Sequence, residues 1–323
     1  MAMSSPNAFD EATRLLETSP HSVVAHVLMG DHYAAARDEQ QAIYYYGRAL
    51  ALAEVQDLAH ADVERAGEAL AKLQTRAAAR REARLSSRSL PAGERGRRLT
   101  EALDIAAGRR KLFRQEPTAF TYPGLPAIQF FDPAEFDWAP AIEAAVPAIR
   151  AELDTLLAAG TDFRAYIQHQ TVAPEANKAL LGKKDWSILP LCENGWLTPS
   201  VIEKCPLTWE TVLQTAPVPR IAGWGPTVVF SLLKAGAHIA PHSGMFNTRL
   251  VCHLPLIVPK GCRFRVGNEV REWEEGKLLI FDDTIEHEAW NDSDEDRIVL
   301  IFDVWRPELS ERERLELTAL FSD

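Results

Sequence analysis

The stretch that decides the fold is residues 241–309, PHSGMFNTRLVCHLPLIVPKGCRFRVGNEVREWEEGKLLIFDDTIEHEAWNDSDEDRIVLIFDVWRPEL. Its apolar and aromatic residues fall in short runs, RLVCHLPLIV, CRFRV, VREW, KLLIF and RIVLIFDVW, and TVVFSLL precedes them at 227–233. The pairs Gly267-Asn268, Glu275-Gly276 and Asn291-Asp292 are typical of turns between strands. Short strands separated by regular turns predict a jelly roll or barrel and disfavour a parallel α/β sheet.

Two histidines and an arginine recur in this stretch at a spacing that suits a metal site. His242 follows Pro241 at a strand end, His287 comes 45 residues later, and Arg297 opens the last long strand ten residues further on. Two imidazoles can hold Fe(II), and an arginine fork can grip a dicarboxylate. Gly244 lies where many non-haem iron enzymes have a carboxylate ligand. Taken singly, the histidines are equally typical of packed residues, and Arg297 of a surface ion pair.

The surrounding sequence resembles the catalytic core of the aspartyl/asparaginyl β-hydroxylase family. The resemblance rests on residues 241–309 together with WSILPL (186–191), VVFSLLKAGAHIAPH (228–242), YPGLPA and FFDPAEFDW, and covers roughly residues 120–310. It implies a double-stranded β-helix that uses Fe(II), O2 and the cosubstrate 2-oxoglutarate. Members are similar in having two histidines and a glycine in place of the carboxylate, so His242 and His287 are the implied metal ligands and Gly244 is expected.

The same resemblance assigns roles to five further residues. It implies that Ser231 and Arg297 bind the distal carboxylate of 2-oxoglutarate and that Trp186 and His253 line the cosubstrate pocket. Arg249 would face the substrate, where a fork can hold a carboxylate or amide.

The chain departs from the family pattern at one position. The family's NxRLRxHL appears here as NTRLVCHL, with Val251 in place of an arginine that assists 2-oxoglutarate binding. Another residue then supplies that charge, or cosubstrate binding is weaker or rearranged. Asp283 is left open between orienting the ligands and lying at a solvated strand end, and His238 is expected to be structural.

The N-terminal part of the chain has a different character. Residues 8–85 show helical spacing, and VVAHVLMGDHYAAARDEQQAIYYYGRALAL has small and aromatic residues where a tetratricopeptide repeat has them. We therefore predict an α+β multidomain protein. It has a tetratricopeptide-like α-helical module at 1–85, a basic linker or helix at 86–119, and a double-stranded β-helix (jelly roll) domain at 120–323.

Composition limits the partners and the compartment. The net charge is −11, although residues 76–114 carry twelve basic residues against four acids. An acidic chain whose basic segment has a single aromatic residue, Phe113, disfavours nucleic acid and favours a solvated, salt-bridged segment. No apolar run reaches the roughly 18 residues of a membrane span. The start, MAMSSPNAFD, lacks a signal-peptide pattern, and four cysteines without CxxC spacing favour reduced thiols, so a cytoplasmic protein is expected.

The sequence thus predicts an Fe(II)- and 2-oxoglutarate-dependent dioxygenase that hydroxylates an Asp or Asn side chain of a peptide or protein, presented by the helical module. Three alternatives stay open. The substrate is a lipid or small molecule, since relatives hydroxylate acyl chains. The enzyme is an iron halogenase, since a missing carboxylate makes room for chloride. Or the chain is a peptide-binding adaptor with an inactive enzyme domain, for which Val251 is the sole support.

Overall fold

The computed structural model describes residues 6–88, 93, 95–168 and 175–322. The chain divides into two compact units, Met1–Leu112 and Phe113–Asp323. The linker predicted at 86–119 lies partly outside the described residues, which omit 89–92 and 94.

The described part of the first unit is helical. Its helices are α1 (Pro6–Thr18), α2 (Val23–Ala35), α3 (Glu39–Val55), α4 (Ala61–Ser86) and α5 (Arg97–Ala106). Ser22 and Asp38 cap α2 and α3, because each side chain accepts a hydrogen bond from a backbone N–H of the first turn. Gly30 of α2 lies against the ring of Tyr46 of α3, where a Cβ would collide with it. The helices are those predicted, whereas their assignment as a tetratricopeptide repeat stays a prediction.

The basic segment is partly neutralised within its own unit. Arg80 pairs with Glu39, and both terminal nitrogens of Arg95 lie 2.6 Å from the carboxylate oxygens of Glu82. These pairs are typical of a solvated, salt-bridged surface and give no indication of a nucleic-acid site.

The second unit combines strands with helices. Its described helices are α6 (Ala139–Ala144), α7 (Val146–Ala158), α8 (Pro199–Ile202), α9 (Pro206–Thr215) and α10 (Glu311–Phe321), with short 3-10 helices at Pro133–Glu135 and Glu175–Leu180. Its described strands are β1 (Phe130–Phe131), β2 (Arg164–Ala165), β3 (Trp186–Glu193), β4 (Trp196–Leu197), β5 (Val228–Leu233), β6 (His238–His242), β7 (Arg249–Ile257), β8 (Cys262–Val266), β9 (Glu269–Glu272), β10 (Leu279–Phe281), β11 (His287–Asn291) and β12 (Arg297–Trp305).

These strands form two antiparallel sheets. The larger has the order β1-β10-β7-β12-β5-β3-β2, with β4 beside β3, and the smaller has the order β6-β11-β8-β9. From β5 onward the chain passes repeatedly between the sheets, which makes this a double-stranded β-helix. The predicted α+β fold class is therefore confirmed.

The two faces of the larger sheet have different partners. One face packs on α6, α7 and α9 through Phe230, Leu254 and Leu300. The other faces the smaller sheet, where Leu233 and Phe281 pack with Phe264. Because successive side chains on a strand point to opposite faces, the residues that alternate with the helix-facing positions point between the two sheets. The predicted site residues of β5, β7 and β12 are among them.

Candidate active site

His242 and His287 lie directly opposite each other on β6 and β11. The two residues are paired in the strand register, and their ring centroids are 4.1 Å apart. The antiparallel pairing thus brings together two residues that are 45 positions apart in the sequence.

Both imidazoles have one nitrogen engaged by the backbone. Nδ1 of His242 lies 2.9 Å from the carbonyl oxygen of Ala240, and Nδ1 of His287 lies 3.1 Å from that of Ile285. A carbonyl only accepts, so each Nδ1 carries the proton and each Nε2 keeps its lone pair. Burial lowers the pKa of both rings, most strongly for His287. Two neutral imidazoles with free Nε2 atoms, each oriented by a backbone carbonyl, fit a transition-metal ion.

The space beside Gly244 is filled by a residue of another segment. A Cβ at position 244 would collide with the side-chain carboxylate of Asp283. The backbone N–H of Gly244 also donates a hydrogen bond of 2.7 Å to the backbone oxygen of Asp283. Burial raises the pKa of Asp283 to about 7, against the lowering effect of Arg249. Oδ1 of Asp283 is buried with no partner among the described residues, and the residue as a whole is half-buried. It therefore does not lie at a fully solvated strand end, whereas a role in orienting the ligands stays a prediction.

Arg297 is a buried cation for which the described part of the chain supplies no counter-ion. Its side chain is 1% exposed, and the described residues offer no hydrogen-bond partner to its Nε or Nη1. Burial lowers its pKa to about 10, so it remains charged at neutral pH. A buried charge without a partner is strongly unfavourable, so this guanidinium suits an anionic ligand. Because the residue is buried, the alternative interpretation of Arg297 as part of a surface ion pair is wrong.

A chain of ring contacts connects the histidine pair with Arg297. Phe264 lies 5.9 Å from the ring of His287 and 5.1 Å from that of His253, whose ring is 5.9 Å from that of Trp273. The guanidinium carbon of Arg297 lies 4.7 Å from the centroid of Trp273. The structure therefore connects His253 and Arg297 with the histidine pair through packed aromatic rings.

Trp186 connects Ser231 with the histidine pair. The indole Nε1 of Trp186 lies 3.3 Å from Oγ of Ser231, and its ring centroid is 5.9 Å from that of His242. Tyr166 stacks on the outer face of Trp186 at 4.1 Å. These aromatic rings limit the access of water to the histidine pair.

Arg249 is held by an ion pair of its own. Its Nη1 lies 2.5 Å from Oδ2 of Asp303 and 2.9 Å from the backbone oxygen of Trp224, whereas its buried Nε is unpaired. Its guanidinium carbon lies 5.0 Å from the centroid of Phe246. The predicted substrate residue is thus pre-oriented through Nη1, and its buried Nε has no partner among the described residues.

Aromatic rings surround Arg249. Phe321 of α10 lies 4.0 Å from the centroid of Trp224, and Phe246 lies 4.7 Å from it. Together they line a small pocket that includes Arg249. Arg249, whose charge is neutralised by Asp303, is therefore surrounded mainly by apolar aromatic rings.

Other candidates lie apart from the pocket. His238 stacks on Trp290 at 5.2 Å, and its Nε2 lies 3.0 Å from Glu288, which is the structural role expected of it. The four cysteines are buried and free. In the parts of the chain that the structure describes, no cluster of three or more His, Cys, Asp or Glu could hold a metal, and no helix could cross a membrane. A metal at this site would have two protein ligands.

Sequence reasoning missed three of these residues or left them undecided. Asp283 could be suspected from its position four residues before His287. Trp273 and Asp303 carry no local signal, because their roles depend on strands that come from elsewhere in the chain.

Comparison with known proteins identifies the family. The model of the family described as aspartyl/asparaginyl beta-hydroxylase matches residues 143–307, just over half of the chain. The human aspartyl/asparaginyl beta-hydroxylase is 41% identical over 139 residues, which are 43% of this chain and 18% of that protein. The ornithine lipid ester-linked acyl 2-hydroxylase of Rhizobium tropici is 38% identical over 180 residues, which are 55% of this chain and 60% of that protein.

These relatives are matched over only part of their length. The chain spans about a fifth of the human protein and 60% of the Rhizobium protein. Among solved structures, the cupin domain of Schizosaccharomyces pombe Cnp3 aligns with a TM-score of 0.27 and 8% identity over 43% of this chain and 73% of that chain, too distant to support a conclusion. The resemblance seen in the sequence is confirmed by the family match: the chain belongs to the aspartyl/asparaginyl beta-hydroxylase family.

Proposed function

We propose that this protein is an Fe(II)- and 2-oxoglutarate-dependent hydroxylase. The observation that carries the proposal is Arg297, which is buried and charged and whose Nε and Nη1 have no partner among the described residues, and which packed aromatic rings connect to the histidine pair. A dicarboxylate that binds both a metal and this guanidinium would satisfy the uncompensated charge. This also argues against an adaptor with a decayed enzyme domain, because a site without a ligand has no reason to keep such a cation.

When bound, iron supplies the oxidising chemistry: 2-oxoglutarate and O2 give succinate and CO2, and one oxygen atom enters a substrate C–H bond. The residues of the chain bind and orient. His242 and His287 would hold the metal through Nε2, while Ser231 and Arg297 would fix the distal carboxylate. Trp186 and His253 would close the walls of the pocket and exclude water.

We propose hydroxylation rather than halogenation because of Asp283. An iron halogenase uses the space of the missing carboxylate for a halide. Here that space lies beside Gly244 and contains the carboxylate of Asp283, which a halide would have to displace and whose negative form would repel it.

For the substrate we propose an Asp or Asn side chain of a peptide or protein. The unpaired Nε of Arg249 supports this proposal, since it offers a donor to a carboxylate or amide oxygen beside the metal pair. The predicted domain division, in which a helical module precedes the catalytic domain and presents the substrate, is retained as part of the proposal.

A second candidate substrate is the acyl chain of a lipid. Two observations favour it: the match to the Rhizobium acyl 2-hydroxylase spans more of this chain than the match to the human protein, and Arg249 is ringed by Trp224, Phe246 and Phe321. Apolar walls around a neutralised cation suit an acyl chain beside a polar headgroup.

The test supplies the protein with Fe(II), 2-oxoglutarate and O2, together with either an Asp/Asn peptide library or an acyl lipid. Mass spectrometry measures the substrate, and succinate is quantified in parallel. One added oxygen on a peptide, with equimolar succinate, supports the first candidate, whereas the same gain on the lipid supports the second. Absence of succinate from folded, metal-loaded protein with every substrate would contradict the proposed activity.

A further inference from the structure

Trp273 is a buried aromatic residue at the cosubstrate pocket that no sequence motif singled out. It directly follows β9 and is 6% exposed. Its ring stacks on Phe264 at 5.3 Å and lies 5.9 Å from His253, and the guanidinium of Arg297 lies over it. The indole therefore contacts two of the residues proposed to bind the cosubstrate.

The indole N–H of Trp273 has no acceptor. Its Nε1 is buried without a hydrogen-bond partner in the described part of the chain. An indole nitrogen can only donate, and a buried Trp N–H normally finds a partner. A vacant donor of this kind needs an explanation, and a bound acceptor is the simplest one.

This vacant donor belongs to a cluster. Of the seven buried side-chain nitrogen and oxygen atoms without a partner among the described residues, four lie on three contacting residues: Nε and Nη1 of Arg297, Nδ1 of His253 and Nε1 of Trp273. Burial lowers the pKa of His253 well below its usual value, so its ring is neutral. Nδ1 of a neutral imidazole donates or accepts according to its tautomer, whereas the nitrogens of Arg297 and Trp273 only donate. Three vacant donors around one cation indicate a site for an anion with several acceptor oxygens.

We propose that the indole N–H of Trp273 is a cosubstrate-binding donor that hydrogen-bonds the same carboxylate as Arg297. This inference rests on the proposed function, because the anion is taken to be 2-oxoglutarate. Trp273 is then a specificity-determining residue for a carboxylate ligand, in addition to those expected from the sequence.

The first test measures 2-oxoglutarate binding by calorimetry, with Mn(II) in place of Fe(II) to prevent turnover. Trp273→Phe keeps an aromatic ring for stacking and removes the N–H together with the pyrrole part of the indole, so its effect is read against a matched Trp→Phe control. We expect its Kd for 2-oxoglutarate to rise about tenfold, the factor for one hydrogen bond. Its Mn(II) affinity should equal that of the wild type, because Trp273 is not a metal ligand, whereas its Tm without ligand combines the loss of an unpaired buried donor with the loss of ring packing.

The matched control is Trp290→Phe. Trp290 also has a stacked histidine and an arginine over its ring, at His238 and Arg263, but it lies outside the donor cluster. Its substitution should leave the Kd for 2-oxoglutarate unchanged.

A second measurement uses the wild-type protein and is independent of variant folding. In protein with 15N-labelled tryptophan and Zn(II), 2-oxoglutarate should shift the indole N–H resonance of Trp273 to lower field; Trp273→Phe identifies this peak. An unmoved resonance, or an unchanged Kd in folded Trp273→Phe while the wild type binds, overturns the inference and leaves the proposed function standing. No binding of 2-oxoglutarate by wild-type protein overturns both.

Discussion

The carboxylate of Asp283 lies where the side chain of residue 244 would begin. Gly244 and Asp283 are also joined by a backbone hydrogen bond of 2.7 Å. A side chain at position 244 would therefore require the carboxylate of Asp283 to move.

This relationship predicts the outcome of restoring a three-ligand metal site. Gly244→Asp should unfold at lower temperature than the wild type by several degrees and bind Mn(II) no better, because its Cβ collides with Asp283. In Gly244→Asp/Asp283→Ala the collision is removed, so Tm should recover and Mn(II) should bind more tightly than in the wild type through two histidines and a carboxylate. Equal stability of both variants would show that the two positions do not compete for space.

The histidine pair gives the second prediction. His242→Ala and His287→Ala should each weaken Mn(II) binding by more than about 100-fold, since even indirect partners of metal ligands are worth 10–100-fold. His238→Ala is the matched control, because His238 lies on the same strand as His242 but pairs with Glu288. Calorimetry measures the affinity and circular dichroism checks the fold. Retention of most Mn(II) affinity by folded His242→Ala would contradict the assignment.

The third prediction concerns the charge of Arg297. Arg297→Lys keeps a cation but loses the planar fork, so the KM for 2-oxoglutarate should rise about tenfold or more. Arg312→Lys provides a control at a guanidinium whose side chain is 87% exposed and paired with Glu316. An unchanged KM in Arg297→Lys would mean that the buried guanidinium serves only the fold.

The fourth prediction separates hydroxylation from halogenation. Turnover with chloride, repeated with bromide, should give the same product mass, one oxygen atom above the substrate. The carboxylate of Asp283 beside Gly244 is the physical reason. A product whose mass depends on the halide, measured by mass spectrometry, would overturn hydroxylation.

The sequence predicted the parts of the fold that local patterns encode. The runs around RLVCHLPLIV and RIVLIFDVW became β7 and β12, and Gly267-Asn268 forms the turn between β8 and β9. Strand β11 was not among the predicted strands, because its sequence HEAWN mixes charged and polar residues with apolar ones. In the sheet it pairs with a strand on each edge, which its sequence does not indicate. Its pairing with β6, and hence the meeting of the two histidines, depends on long-range register.

The sequence predicted which residues belong to the site, but not the contacts among them. The family resemblance pointed to His242, His287 and Arg297, and these roles stay predictions until a ligand is bound. The vacant donors of Trp273 and the ion pair of Asp303 with Arg249 arise where separate strands meet. No spacing within one segment encodes such contacts.

The most direct test of the central claim is the visible absorption of the protein mixed with Fe(II) and 2-oxoglutarate without oxygen. Chelation of iron by 2-oxoglutarate in one site produces a metal-to-ligand charge-transfer band. We predict that the wild type develops this band and that His287→Ala does not. Addition of oxygen and substrate to the wild type should abolish the band while succinate forms. A folded wild-type protein that shows no band at saturating Fe(II) and 2-oxoglutarate would contradict the account.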